Sequence, residues 1–322
     1  MNELQKLTAE QKQELENIKR LLLSGDWVQS EQGIELMRSL NDPALFDYFL
    51  EGTSIKQIDG FATLEPGSVL QKHKAVCWRL APHAPEGSTW QGLCKQVEVA
   101  DLSQTGLENM IFLKGYPNLK KLHAKQNHAL KSLEGLENAA ELEGLEASST
   151  AIQDLLPLRN CAGLKELNVR HCKSLTSLAG LENCRKLEKL NAWNCTPLAS
   201  LAGLENCAGL KELCVSDCWS LASLAGLENM AGLKELDVSG CKSLTSLAGL
   251  GNCAGLEELD VEGCTSLTSL AGLENAARLQ KLKLPNDEWD ETLLQGINSQ
   301  AAIERLYNSF EGGLVVYDED GD

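Results

Sequence analysis

The sequence is poor in positive charge and has no long hydrophobic run. Its 322 residues include 29 Lys and Arg against 46 Asp and Glu, which gives a formal net charge of -17. No stretch approaches the length that crosses a bilayer, and the first residues, MNELQKLTAEQKQELENIKR, are charged where an export signal would be apolar. We therefore expect a protein of the cytoplasm that binds neither membranes nor nucleic acid, since its field repels polyanions.

The usual sequence signatures of catalysis are also missing. There is no glycine-rich phosphate loop, no GxSxG elbow and no HExxH motif. The histidines are too scattered for any spacing rule to assemble a Cys/His nucleophilic pair. They are His73, His83, His123, His128 and His171. The sequence predicts a protein that is not an enzyme and that carries no cofactor and no metal.

Cysteine is plentiful, with 12 residues, but no two form a CxxC pair. In a small secreted protein such a number would indicate disulfides. This chain is long and shows no signal sequence, so we expect reduced thiols in the cytoplasm.

A repeat of 23 residues organises the chain. The leucines that mark it are Leu158, Leu181, Leu204, Leu227, Leu250 and Leu273. Each copy contains L-x-x-L-x-V/A, whose last apolar residues are two apart as in a strand, followed by L-x-x-L-x-x-L, whose spacing of three favours a 3₁₀ turn or short helix. One copy cannot enclose its own leucines, so the copies must stack as a solenoid with a parallel sheet on one face.

Eight registered copies across residues 119 to 284 resemble the leucine-rich-repeat family, whose consensus is L-x-x-L-x-L-x-x-N/C-x-L. The shorter copy with IQDLLPL resembles internalin-type or phosphatase-regulator-type repeats, and the C-x-S-L-T-S-L copies resemble cysteine-containing repeats of plant and bacterial proteins. The resemblance implies an α/β solenoid with a concave parallel sheet and short 3₁₀ or helical segments on the convex side. It also implies a bacterial type of protein.

Three segments follow from this pattern. Residues 1–92 are predicted to form a helical N-terminal cap and a connector, residues 93–286 the solenoid, and residues 287–322 a C-terminal helical cap with an acidic tail. In the first, Thr8 with Gln11 predicts a capping box and Pro43 the start of a third helix, after a second from about Gln29 to Leu40. The turn-rich stretch 53–92 is interpreted as largely irregular chain. QVEVADL, 96–102, is predicted to be an extra edge strand.

Nine cysteines fall in two columns at the repeat period. One column follows the strand and the other precedes it, with Met230 filling a gap in the second; the members are Cys172, Cys195, Cys218, Cys241 and Cys264, and Cys161, Cys184, Cys207 and Cys253. Neighbouring strands lie about 4.8 Å apart, whereas the Cβ atoms of a relaxed disulfide prefer about 3.8 Å. We therefore expect buried thiols that replace the family's asparagine in a turn, since Asn127 stands at that position in the first copy.

Function is then expected on the solvated concave face. The variable residues between and after the strand leucines include two tryptophans and an arginine, types enriched in interface hot spots. The predicted partner-binding residues are Arg170, His171, Asn191, Trp193, Asn194, Asp217, Trp219, Asp237 and Asp260. Neutral variation at solvated positions remains the alternative explanation of the same pattern.

Charge along this face is graded. Lys121, His123, Lys125, Arg170 and Lys189 lie toward the N-terminal half, and Glu235, Asp237, Glu258, Asp260 and Glu262 toward the C-terminal half. A bipolar surface suits a protein partner. The sequence thus favours a non-catalytic protein-binding scaffold. Two alternatives stay open: an effector or regulator whose N-terminal helical region acts on a target that the repeats select, and a purely structural solenoid.

Overall fold

The computed structural model describes residues 9–58, 61–66, 70, 73–86 and 88–284. Three helices come first: α1 (Ala9–Leu22), α2 (Trp27–Leu40) and α3 (Pro43–Leu50). A hairpin, β1 (Ser54–Ile58) and β2 (Phe61–Glu65), and two more helices, α4 (Lys74–Leu80) and α5 (Thr89–Cys94), follow. The C-terminal helices and acidic tail predicted after residue 286 lie outside the described residues.

The helical start of the chain confirms the sequence prediction with one shift. Leu15, Ile18 and Leu22 are buried, as their helical spacing indicates. Helix α2 begins two residues before the predicted Gln29, because the side chain of Asp26 accepts a hydrogen bond from the Gln29 amide at 2.8 Å and so caps the helix from further upstream. Pro43 stands in the first turn of α3 as expected.

The interpretation of residues 53–92 as largely irregular chain was wrong. Strands β1 and β2 pair antiparallel from Ser54 opposite Glu65 to Ile58 opposite Phe61, and α4 and α5 fill much of the remainder. The prolines that indicated irregular structure lie at element boundaries: Pro66 follows β2, and Pro82 lies in the 3₁₀ turn Ala81–His83 after α4. Proline is tolerated at such ends, so its presence does not exclude the elements between.

Nine three-residue strands carry the repeats. In the first compact unit β3 (Val99–Asp101), β4 (Lys121–His123) and β5 (Gly144–Glu146) pair parallel. In the second, parallel pairing connects β6 (Glu166–Asn168), β7 (Lys189–Asn191), β8 (Glu212–Cys214), β9 (Glu235–Asp237), β10 (Glu258–Asp260) and β11 (Lys281–Lys283). The edge strand predicted in QVEVADL is β3, and the fold is the predicted leucine-rich-repeat solenoid.

The first unit comprises residues 1–151 and 160–163, and the second comprises 152–159 and 164–322. Within the first, the Glu98 amide donates to the Ala62 carbonyl at 2.7 Å, so the hairpin protects the end of the sheet. The Tyr116 hydroxyl donates to the Trp78 carbonyl at 2.8 Å, which fixes α4 against the first coils. The helical region therefore caps the first repeats. The predicted domain limits at residues 92 and 286 stay predictions.

The repeat leucines form the core in both units. Those of one coil, Leu164, Leu167, Leu175, Leu178 and Leu181, are all buried. The return segments are mostly turns, with 3₁₀ helices at Ile111–Gly115, Leu156–Asn160 and Ala248–Leu250. No helix in the described part of the chain is both long and apolar enough to cross a bilayer.

Candidate functional site

The strands of the second unit present one row of side chains inward and two rows outward. In β9, for example, Leu236 is buried, Glu235 is exposed and Asp237 is half-buried. We call the outward surface of β6 to β10, together with the turn that follows each strand and the residue after the column cysteine, the outer sheet face. It is the surface on which all nine predicted binding residues lie.

Three of these residues close their own turns. The Oδ1 atoms of Asn191, Asp237 and Asp260 accept hydrogen bonds from the backbone amide two residues later, at 3.0, 2.9 and 3.0 Å. Short polar side chains at such a position satisfy the backbone where a strand ends. Their presence in the repeat therefore has a local structural reason, in addition to any contact with a partner.

The turns after the strands contain a left-handed residue. His171, Asn194 and Asp217 have φ angles of 59°, 59° and 54°, and the next two coils carry Gly240 and Gly263 at 67°. Glycine adopts this conformation freely, Asn, Asp and His adopt it less readily, and other residues are strained in it. The three preceding coils also carry a side chain here, at Gln104, Gln126 and Ser149, so six consecutive coils keep one where glycine would be easier to accommodate.

Three of these retained side chains surround Trp193. The rings of His171 and Trp193 are 4.4 Å apart between centroids and tilted by 57°, and the Trp193 Nε1 donates to Asp217 Oδ2 at 3.1 Å. Trp193 is consequently half-buried, and part of its role is to pack between neighbouring coils. We call His171, Trp193, Asn194 and Asp217 the aromatic cluster.

The orientation of His171 follows from Asn194 and Lys173. The Lys173 ammonium donates to Asn194 Oδ1, which turns the amide nitrogen toward His171, and Asn194 Nδ2 lies 3.1 Å from His171 Nδ1. The contact between the two side chains joins the coils of β6 and β7.

Trp219 lies in the coil of β8, beyond the turn. It is 49% exposed, and its ring holds the ammonium of Lys242 at 4.9 Å from the centroid. Sequence reasoning missed Lys173 and Lys242, although both stand directly after the column cysteine, the same repeat position as Trp219. Arg170 is exposed, and its backbone amide donates to Asn168 Oδ1 at 3.1 Å.

The predicted site therefore divides in two. Direct side-chain contacts join the four residues of the aromatic cluster. In the described part of the chain no side-chain contact connects this cluster with Arg170, Trp219, Asp237 or Asp260, which lie elsewhere on the outer sheet face, whereas the Asn191 side chain accepts from the Trp193 amide. Their binding role stays a prediction.

The cysteine columns behave as the sequence predicts. Eleven of the twelve cysteines are buried. In the column after the strand, four thiols donate to a carbonyl of the preceding coil, for example Cys195 to Val169 at 3.2 Å and Cys241 to Val215 at 3.2 Å. In the other column Cys207 donates to Leu181 at 3.3 Å. Burial raises the pKa of Cys207 and of Cys218 to about 12, so these thiols are poor nucleophiles.

Asn127 shows what the cysteines replace. Its amide nitrogen donates to the carbonyls of Leu102 and Ala124 at 2.9 and 2.8 Å, and its oxygen accepts from the amides of Thr105 and Leu107 at 3.1 and 2.9 Å. A thiol supplies only the donor to the preceding coil. Cysteine thus keeps the connection between coils and gives up the others.

Cys214 is the one cysteine that is not fully buried. It occupies the second outward position of β8, in register with Asn191 and Asp237, and its thiol lies 3.6 Å from Asp237 Oδ2. Burial raises its pKa as well. Among the described residues no group of three or more His, Cys, Asp or Glu side chains is arranged to hold a metal ion.

Comparisons with known proteins identify the repeats. The family model for the leucine-rich-repeat domain of the endo-β-N-acetylglucosaminidase EndoS matches residues 211–288. No curated protein matches the chain.

Among solved structures the chain is similar to internalin C2 of Listeria monocytogenes, with 18% identity, a TM-score of 0.53 and coverage of 65% of this chain and 91% of that one. It is also similar to the functional domain of InlJ from Listeria monocytogenes, which includes a cysteine ladder, with 18% identity, a TM-score of 0.42 and coverage of 63% and 48%. The first likeness establishes the fold.

Proposed function

We propose that this leucine-rich-repeat protein is a non-catalytic scaffold that binds another protein on the outer sheet face of its second unit. A fold of this kind fits protein interaction, because stacked coils place variable side chains side by side on one extended sheet. We also propose that the protein acts in the cytoplasm.

The observation that carries the proposal is the set of side chains that meet at the turns of consecutive coils. His171, Asn194 and Asp217 occupy left-handed backbone that Gly240 and Gly263 fill in later coils. Their side chains make contacts around Trp193 that glycine could not make. His171 and Asp217 contact Trp193 between coils, and Trp219 is exposed one coil further along the chain. The surface therefore carries aromatic side chains of the type that anchor interfaces.

Capture of a partner by the immobilised full chain tests the proposal. The variant Trp219→Ala removes the exposed anchor, and Arg170→Ala removes an exposed guanidinium from the turn after β6. Thr265→Ala is the matched control, since Thr265 is exposed at the same repeat position as Trp219, two coils further. Trp193→Ala is unsuitable, because it also removes packing between coils.

We expect the Trp219 and Arg170 variants to lose capture at an unchanged unfolding midpoint, while Thr265→Ala retains it. Truncation of an interface anchor weakens binding by about tenfold or more. Capture that is equal for all four proteins would show that the outer sheet face is not the binding surface.

A further inference from the structure

Three glutamates lie directly opposite one another on the outer sheet face. Glu212 of β8 is in register with Glu235 of β9, and Glu235 is in register with Glu258 of β10. Like charges in directly opposite positions repel. The row is therefore unfavourable for the fold unless cations neutralise it.

Among the described residues, ion pairs form at the two ends of this row. Lys189 pairs with Glu212 at 2.6 Å, and Lys281 pairs with Glu258 at 2.5 Å. Glu235, in the middle, forms no ion pair with any residue that the structure describes. It is an exposed carboxylate between two others.

The second outward row repeats this arrangement. Asp237 is in register with Asp260, and Lys283 pairs with Asp260 at 2.9 Å. The carboxylate of Asp237 accepts from the amide and hydroxyl of Ser239 and lies beside the Cys214 thiol, all of them neutral groups. Both outward carboxylates of β9 thus lack a direct ion pair in the described part of the chain, whereas both those of β10 have one. Lys189 and Lys283 attract Glu235 and Asp237 at longer range, but each is paired with another carboxylate.

The chain itself already places a cation on an exposed aromatic ring one coil before β9. The exposed ring of Trp219, in the coil before β9, holds the Lys242 ammonium at 4.9 Å from its centroid. Attraction between a cation and an indole face is strongest where water is excluded, as it is when a partner covers the ring. The same ring can accept a guanidinium or ammonium from a partner.

We propose that the outer sheet face around Trp219, Glu235 and Asp237 binds an extended, lysine- or arginine-rich segment of the partner protein. The inference rests on the proposed function and adds the chemistry of the partner. The partner's cations pair with Glu235 in the middle of the glutamate row, as Lys189 and Lys281 pair with the glutamates at its ends. Since carboxylates repel phosphate, this surface does not suit nucleic acid.

Selection of short random peptides, displayed on phage, against the immobilised full chain tests this inference. Two pairs of position-matched variants accompany it: Trp219→Ala with Thr265→Ala, and Glu235→Gln with Glu166→Gln. Glu166 is exposed and holds the position of Glu235 three coils earlier, so that control removes the same charge from the same repeat position. Unfolding midpoints show that each variant folds.

We expect the selected peptides to be enriched in lysine and arginine and to bind about tenfold more weakly to Trp219→Ala and Glu235→Gln, with no change for either control. Added salt should weaken their binding further.

Two results would overturn the inference of a basic partner and leave the proposed function standing. The peptides could depend on Trp219 without enrichment in basic residues, or they could bind the Glu235→Gln variant unchanged. If no peptide lost affinity for Trp219→Ala, the proposed function would fail and the inference with it.

Discussion

At the scale of single residues, the repeat depends on positions where one coil closely approaches the preceding coil. Gly203 is one such position: its φ is +108°, and a Cβ atom there would lie 2.5 Å from the carbonyl oxygen of Leu178. The column cysteines are another, since their thiols donate to a carbonyl of the coil before. The period of 23 residues is thus maintained by contacts between coils as well as by the buried leucines.

Gly203→Ala should lower the free energy of unfolding by about 2–4 kcal/mol, because the methyl group meets backbone and the residue stays in a left-handed conformation. Gly232→Ala is the control. Its nearest neighbour would be the Ala208 oxygen at 3.8 Å, and its φ is not in the left-handed range, so we expect a change within about 0.5 kcal/mol. Denaturant unfolding of both variants measures this, and equal effects would contradict the steric explanation.

At the scale of the structural element, the turns of the return segments share a carboxylate cap. A glutamate accepts from the amide of the glycine two residues before it, for example Glu205 from Gly203 and Glu228 from Gly226, both at 2.8 Å. In one coil the corresponding residue is Gly251, which follows Gly249. That coil forms the 3₁₀ helix Ala248–Leu250 in place of the usual turn.

Restoring the cap should stabilise this coil. At Gly251 the φ is -54°, and a Cβ atom would lie 3.6 Å from the Ala248 oxygen, so a side chain fits. We expect Gly251→Ala to raise the free energy of unfolding by about 0.5–1 kcal/mol through the unfolded state alone. Gly251→Glu should exceed it, since the carboxylate can also accept from Gly249. Thermal or denaturant unfolding decides, and a glutamate variant less stable than the alanine variant would disprove the cap.

The elements differ in how far the sequence predicts them. Leucine spacing predicted the inward rows, and the exchange of Asn127 for cysteine predicted a buried turn position, because both recur at a fixed period. The hairpin at Ser54–Glu65 was missed, since its strands occur once and Pro66 suggested irregular chain. The outward residues were predicted from variation between copies. Contacts such as that of Trp193 with Asp217 could not be predicted, because they depend on how two side chains in different coils, 24 residues apart in sequence, are oriented.

At the scale of the whole molecule, the buried thiols make the free energy of unfolding fall as the pH becomes alkaline. Burial raises the pKa of Cys184, Cys253 and Cys264 to about 11 from 9.0, and that of Cys207 and Cys218 to about 12. Between pH 9 and 11 these cysteines ionise in the unfolded chain while they stay protonated in the folded one. The unfolded state then binds fewer protons, so stability falls as pH rises.

We expect the free energy of unfolding to be steady from neutral pH to about pH 8.5 and then to fall, by up to about 1.4 kcal/mol per pH unit for each thiol that titrates only in the unfolded state. Denaturant titrations from pH 7.5 to 10.5 under reducing conditions measure the slope. Lysines and tyrosines also titrate there, so the comparison is with Cys207→Ala, which removes one buried thiol and should reduce the slope by about one proton. An identical slope in the variant would mean that the Cys207 thiol ionises equally in both states, and the alkaline loss would then have to come from other groups.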